Sequence, residues 1–214
     1  MKPRTDHAAA CAHLGAVDPT LAIVIERAPP CDLAPRRLAS LFDVLLRAIV
    51  YQQLNGKAAH SIHQRVQALF PGNRPTPAAV LALADEPLRA AGLSRNKLAS
   101  IRDLAAKSID GTVPTPATAK KLSDAELVAR LTAVRGIGPW TVHMLLMFDL
   151  GRPDVLPTGD YGVREGFRKL YRKRRQPTPA ELEKHARRWA PYRSVASWYL
   201  WRVHEIELPQ EGDR

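Results

Sequence analysis

The sequence is poor in several things, and each shortage excludes something. It has two cysteines in 214 residues, Cys11 and Cys31, and neither sits in a C-x-x-C pair. An iron–sulfur or zinc cage built on cysteine alone is therefore excluded, and two lone thiols read as inert residues in a reducing compartment. No apolar run approaches the roughly twenty residues that span a bilayer. The N-terminal "AAACAHLGA" is broken by His13 and follows Asp6 and His7, without the basic flank of a secretory signal. The expectation is a soluble, cytoplasmic protein. Acidic residues are the minority, 21 Asp and Glu against 32 Lys and Arg, for a net charge of +11. Such an excess favours a polyanionic partner, nucleic acid or an acidic membrane surface. The basic residues do not lie opposite a broad apolar face, which argues against the membrane.

Strand-like alternation is also scarce; only "PTLAIVIERA" near the start reads as a strand candidate. Elsewhere the apolar period is helical. Leu41, Phe42, Leu45, Leu46, Ile49 and Val50 make one stripe, and "KAAHSIHQRVQALF" continues as a second helix up to Pro71-Gly72. "TPAAVLALADEPLRAAG" gives one or two short helices, and "NKLASIRDLAAKSI" another. "SDAELVARLTAV" opens with the capping-box pair Ser123 and Glu126, and "TPAELEKHARRWA" repeats that logic with Thr178, Pro179 and Glu181. An aromatic-rich helix, "YRSVASWYLWRVHEI", closes the chain. The length suits one large domain or two small lobes. The reading is an all-α protein, compact and two-lobed, with a cleft between the lobes.

Chemistry concentrates in "LTAVRGIGPWTVHMLLMFDLGRPDVLPTGDYGV", Leu131 to Val163. Helices from about Ser123 to Ala133 and from about Pro139 to Leu150 flank "VRGIG". Gly136 and Gly138 can adopt positive φ and bring bare backbone to a ligand, and Pro139 suits the first turn of a helix. The start of a helix offers unpaired N–H groups and partial positive charge, so this corner suits an anion such as a DNA phosphate. A plain helix–turn–helix corner has the same signature. Asp160 follows "LPTG" at another helix start. It serves there equally as an N-cap or as a carboxylate favoured by the helix dipole.

"LTAVRGIGPWTVHMLLMF" followed by "LPTGDYGVREGF" resembles the helix–hairpin–helix (HhH-GPD) DNA glycosylases. "LLRAIVYQQLNGKAAHSIHQRV" and "PYRSVASWYLWR" narrow the resemblance to the AlkA-type 3-methyladenine DNA glycosylases II. It covers about Leu38 to Val203 and leaves no room for the β-rich N-terminal domain of the bacterial enzyme. The implied organisation is an N-terminal segment, 1–37, packed on a glycosylase core, 38–214.

The resemblance implies duplex DNA carrying damaged bases as partner, Asp160 as catalytic aspartate, and a hairpin contacting DNA through Arg135, Gly136, Ile137, Gly138 and Thr141, with Gly159 in the downstream loop. It places Gln53, Trp140, Met144 and Tyr192 around the flipped base, Tyr192 standing where the bacterial archetype has Trp. Trp198 and Trp201 read as packing. The wedge loop that fills the gap left by a flipped base aligns with "GLSRN", making Leu93, Ser94 and Arg95 the candidates in a loop more polar than the family's. No cofactor is required. Backbone carbonyls of Thr132, Val134 and Ile137 would hold a Na+ or K+ bridging to phosphate.

Members of this fold that also nick DNA use a lysine just after the hairpin glycines. Trp140 occupies that position, and no lysine occurs from Trp140 to Asp160. The expectation is a monofunctional, monomeric glycosylase for alkylated purines that uses no nucleotide cofactor. The alternatives are a hairpin module that only binds DNA, and a glycosylase for mismatched or deaminated bases. The run "REGFRKLYRKRR", Arg164 to Arg175, has seven basic residues and one acidic. It reads either as a solvated face or as a DNA-facing one.

Overall fold

The computed structural model describes residues 6–35 and 40–208. The expected boundary at residues 37 and 38 lies outside them. Thirteen α-helices follow one another, and no strand occurs among the described residues. They are α1 (His7–Val17), α2 (Pro19–Arg27), α3 (Leu41–Tyr51), α4 (Gly56–Ala68) and α5 (Pro77–Ala82). Next come α6 (Asp85–Ala90), α7 (Arg95–Ile109), α8 (Pro116–Ala119), α9 (Asp124–Thr132) and α10 (Pro139–Met144). The last three are α11 (Tyr161–Leu170), α12 (Pro179–Ala186) and α13 (Arg193–Arg202). No helix among the described residues is long and apolar enough to cross a membrane.

Helix starts are written locally. Three Pro-Thr-Pro stretches open α5, α8 and α12 in one way: Thr76, Thr115 and Thr178 accept a backbone N–H from three residues on, and the following proline takes the first turn. Ser123 and Thr178 complete full capping boxes with Glu126 and Glu181. The strand candidate "PTLAIVIERA" is instead α2. Asp18 caps it through the Leu21 N–H at 3.2 Å, and Leu21 and Val24, three apart, point into the core. Local capping and helical burial override the β-branched composition.

The described residues form two compact units, 40–142 in one and 6–35 with 143–208 in the other. In the first, α3, α5 and α6 pack against α7. Leu45, Ile49, Val80, Leu88, Ile101 and Leu104 form its buried interior. Arg102 on α7 donates to the carbonyls of Val80 and Leu83 and to Asp85, tying α5 and α6 to α7.

In the second unit, α13 packs on α1, α2 and α11. Asp18, at the α1–α2 junction, is buried and accepts from Tyr171 at 2.7 Å, Trp189 at 2.8 Å and His185 at 3.0 Å. One carboxylate thus joins the N-terminal helices to α11, α12 and the turn after it. Gly166 on α11 lies so close to α13 that an added Cβ would stand 2.0 Å from the Leu200 carbonyl oxygen. The helix expected to run to Leu150 is α-helical only to Met144. The chain then widens: Leu150 donates its N–H to the Leu145 carbonyl five residues back, at 3.0 Å.

Candidate functional site

The hairpin between α9 and α10 is built by backbone constraint. Ala133 caps α9, Ile137 donates its N–H to the Val134 carbonyl at 3.0 Å, and Val142 returns to the Gly138 carbonyl at 3.3 Å to start α10. Gly136 is left-handed, at φ +77°, but Gly138 is not. The two glycines therefore do different work. An added Cβ at Gly136 would meet Ser100 Oγ at 2.7 Å, whereas nothing lies within 4 Å of one at Gly138. Gly136 lets the turn lie on α7. Gly138 leaves open space at the start of α10.

Three contacts pin this turn. The Arg135 N–H donates to Asp103 at 2.7 Å, Gln52 Nε2 donates to the Gly136 carbonyl at 2.8 Å, and Ser100 lies beneath Gly136. Burial works to raise the Asp103 pKa. Hydrogen bonds from the Arg135 N–H and from Lys107, with the charges of both residues, outweigh it and hold the carboxyl below its ordinary value. The sequence reading missed Gln52, Ser100 and Asp103. The "YQQL" pair held a signal for the first. Gln53, the base-contact candidate beside it, is exposed and left-handed at φ 55°.

Of the other hairpin candidates, Arg135 is exposed and reaches Asn96 at 3.5 Å. Ile137 and Thr141 are buried, so any contact with DNA runs through their backbone. Trp140 is half exposed. In the loop before α7, Leu93 is a core residue, 2% exposed, and unsuited to act as a wedge. Ser94 caps α7 by accepting from Lys97, and with Arg95 it is exposed.

In the other unit, Asp160 caps α11. Its Oδ1 accepts two N–H groups, from Val163 at 2.8 Å and from the Trp201 indole at 2.8 Å. The residue is 9% exposed. Gly159 before it is exposed, and Tyr161 after it is 72% exposed. Trp201, expected only to pack, is stacked on Phe148 at 5.8 Å and 21° while donating to Asp160.

Tyr192 is partly buried, at the start of α13, with its ring edge-on to His13 at 5.4 Å. Met144, the last residue of α10, is also partly buried. The loop leading to Asp160 is fastened to α13: Asp154 takes both arms of Arg193 at 2.7 and 2.8 Å, and Ser194 Oγ accepts the Val155 N–H at 2.9 Å.

The basic run is largely engaged within the protein. Arg164 donates to the Pro177 carbonyl, Arg168 pairs with Glu165, Lys169 meets His204, and Arg175 pairs with Glu181. Phe167 and Leu170 are buried, while Arg172, Lys173 and Arg174 are exposed. No group of three or more His, Cys, Asp or Glu among the described residues is placed to hold a metal ion.

Residues 46–191 match the HhH-GPD superfamily of base excision DNA repair proteins. DNA-3-methyladenine glycosylase 1 of Schizosaccharomyces pombe is 41% identical over 166 residues, covering 77% of this chain and 73% of the relative. The structure of a 3-methyladenine DNA glycosylase from the same yeast, in complex with abasic DNA, aligns with a TM-score of 0.79 and 36% identity, over 92% of this chain and 97% of that one. A DNA-3-methyladenine glycosidase from Bacillus halodurans aligns at 0.83 and 35%, over 94% and 91%. The chain belongs to the HhH-GPD superfamily.

Proposed function

We propose that this superfamily member is a monofunctional DNA-3-methyladenine glycosylase. It removes alkylated purines from duplex DNA in base excision repair. The observation that carries the reading is Asp160: a carboxylate at a helix start, gripped by two N–H donors on one oxygen, in a chain similar over most of its length to 3-methyladenine glycosylases.

The chemistry follows from the substrate. Alkylation at N3 or N7 makes the purine cationic, so it is already a good leaving group and needs little general acid. The C1′–N bond breaks with its electron pair leaving on the base, and the sugar gains oxocarbenium character. The Asp160 carboxylate stabilises that charge. Water then bonds to C1′ and gives up a proton, which Asp160 is suited to accept. The products are free base and an abasic site. In the unit that carries Asp160, Met144 and Tyr192 supply apolar and aromatic surface for an electron-poor ring turned out of the stack.

The hairpin holds the DNA backbone through the N–H groups at the start of α10, with Gly138 admitting the phosphate and Arg135 adding charge. Its sequence indifference fits repair at any site. An alkali cation fits beside it. Thr132, Val134 and Ile137 would offer neutral carbonyl oxygens, and although the Val134 carbonyl accepts the Ile137 N–H, each carbonyl has two lone pairs. Such an ion would supply positive charge toward phosphate.

The absence of a lysine between Trp140 and Asp160 leaves water as nucleophile and no amine to form a Schiff base. The test is methylated duplex treated with the protein, then split for base chromatography and for gels with and without alkali. The expected result is free 3-methyladenine, strand breaks only after alkali, and no covalent adduct on borohydride reduction. Breakage without alkali, or a trapped adduct, would overturn the monofunctional reading. Release only of mismatched or deaminated bases would overturn the substrate class.

A further inference from the structure

We propose that Trp201 is a positioning residue for base excision: its indole N–H fixes the Asp160 carboxylate in its working rotamer. This rests on Asp160 being the catalytic carboxylate. Capping alone would hold Asp160 by the Val163 N–H, as caps do elsewhere in this chain. Here a second donor, from forty-one residues away in sequence, converges on the same oxygen at 2.8 Å. Two N–H groups on one oxygen set both the position and the rotation of the carboxylate plane, so the group meets developing sugar charge without first reorganising.

The tryptophan is itself mounted. One ring face lies on Phe148, nearly parallel at 21°. The ring edge fills the space over Gly162, where an added Cβ would come within 2.8 Å of Trp201 Cδ1 and 3.1 Å of its Nε1. Glycine is unfavourable inside a helix relative to alanine, and here its neighbour accounts for it: no other residue leaves room for the indole. Indole is a donor only, so in this contact the carboxylate oxygen is the acceptor. Phe148, Gly162 and Trp201 come from the widened turn after α10, from α11 and from α13. Their shared effect falls on one oxygen atom.

The experiment compares single-turnover excision from methylated duplex with affinity for an abasic duplex, in wild type, Trp201→Phe, Gly162→Ala and Asp160→Asn. Trp201→Phe keeps a six-membered ring beside Phe148 and removes the N–H together with the five-membered ring that carries it. Its excision rate should fall by roughly ten- to a hundredfold, the range of a hydrogen bond to a charged group, with affinity within about twofold of wild type. Gly162→Ala, whose added Cβ would press on the indole and stand 3.3 Å from Asp160 Oδ1, disturbs both ends of the same contact and should show the same split, which keeps the proposal testable if Trp201→Phe fails to fold. Wild-type rates in both variants beside an inactive Asp160→Asn would overturn the positioning role and leave the catalytic reading standing. Equal losses of rate and affinity would also overturn it. An active Asp160→Asn would overturn the catalytic reading itself.

Discussion

The Arg135 backbone N–H donates to the Asp103 carboxylate at 2.7 Å, across thirty-two residues of sequence. The contact makes the hairpin turn an extension of α7. Asp103→Ala should therefore weaken binding to any duplex, damaged or not, by about tenfold, the scale of one charge-assisted hydrogen bond. Excision from bound DNA should be nearly unchanged. Fluorescence anisotropy on matched duplexes measures the first, and single-turnover rates the second. Because the Asp103 pKa is lowered in the folded protein, its support is complete at neutral pH. It is lost only as pH falls below the ordinary carboxylate range.

The two hairpin glycines should fail differently. Gly136→Ala places a Cβ on Ser100 Oγ at a left-handed position and should lower stability by about 1–2 kcal/mol, seen as a drop in Tm. Gly138→Val meets open space and should leave Tm close to wild type while weakening duplex binding. If Gly138→Val binds normally, the phosphate does not approach there.

Asp18 should be the most costly polar residue to remove. Burial acts to raise its pKa, but hydrogen bonds from His185, Tyr171, Trp189 and the Leu21 N–H prevail and hold it at about 2. Asp18→Ala leaves those donors unmatched inside the protein and should destabilise it by about 3 kcal/mol. The sign with pH follows from the lowered value. The stabilisation is full above about pH 4, the unfolded carboxylate range, and declines as pH falls toward 2. Denaturant melts at pH 7 and pH 3 should show the gap between wild type and Asp18→Ala narrowing at the lower pH.

The exposed part of the basic run should carry salt dependence and the engaged part should not. Replacing Lys173 and Arg174 with Ala should reduce the slope of log affinity against log salt by about one for each phosphate contact removed. Arg175→Ala breaks the pair with Glu181 and should leave that slope unchanged. Equal slopes in all variants would place the DNA on another face.

What was legible in the sequence is what is local. Ser123 with Glu126, the Thr-Pro helix starts, and Asp160 ahead of α11 each act within three or four residues, so spacing reveals them. Both hairpin glycines were visible too, but only the fold separates Gly136, which needs a left-handed backbone, from Gly138, which needs empty space. Trp201 looked like packing because its partners, Asp160 and Phe148, are distant in the chain. Asp103 and Ser100 carried no signal, since a helix surface residue looks the same whether it meets solvent or a turn. The strand candidate at Pro19–Ala28 misled because its β-branched residues suit a strand, whereas the Asp18-Pro19 start beside them sets a helix.

Excision is proposed to depend on the negative charge of Asp160. The direct measurement is release of 3-methyladenine from methylated duplex by wild type and Asp160→Asn, with duplex affinity determined on the same preparations. Asparagine keeps an oxygen able to cap α11 but lacks the negative charge, so the account predicts near-complete loss of release with affinity within a fewfold of wild type. Release by Asp160→Asn at the wild-type rate would contradict it.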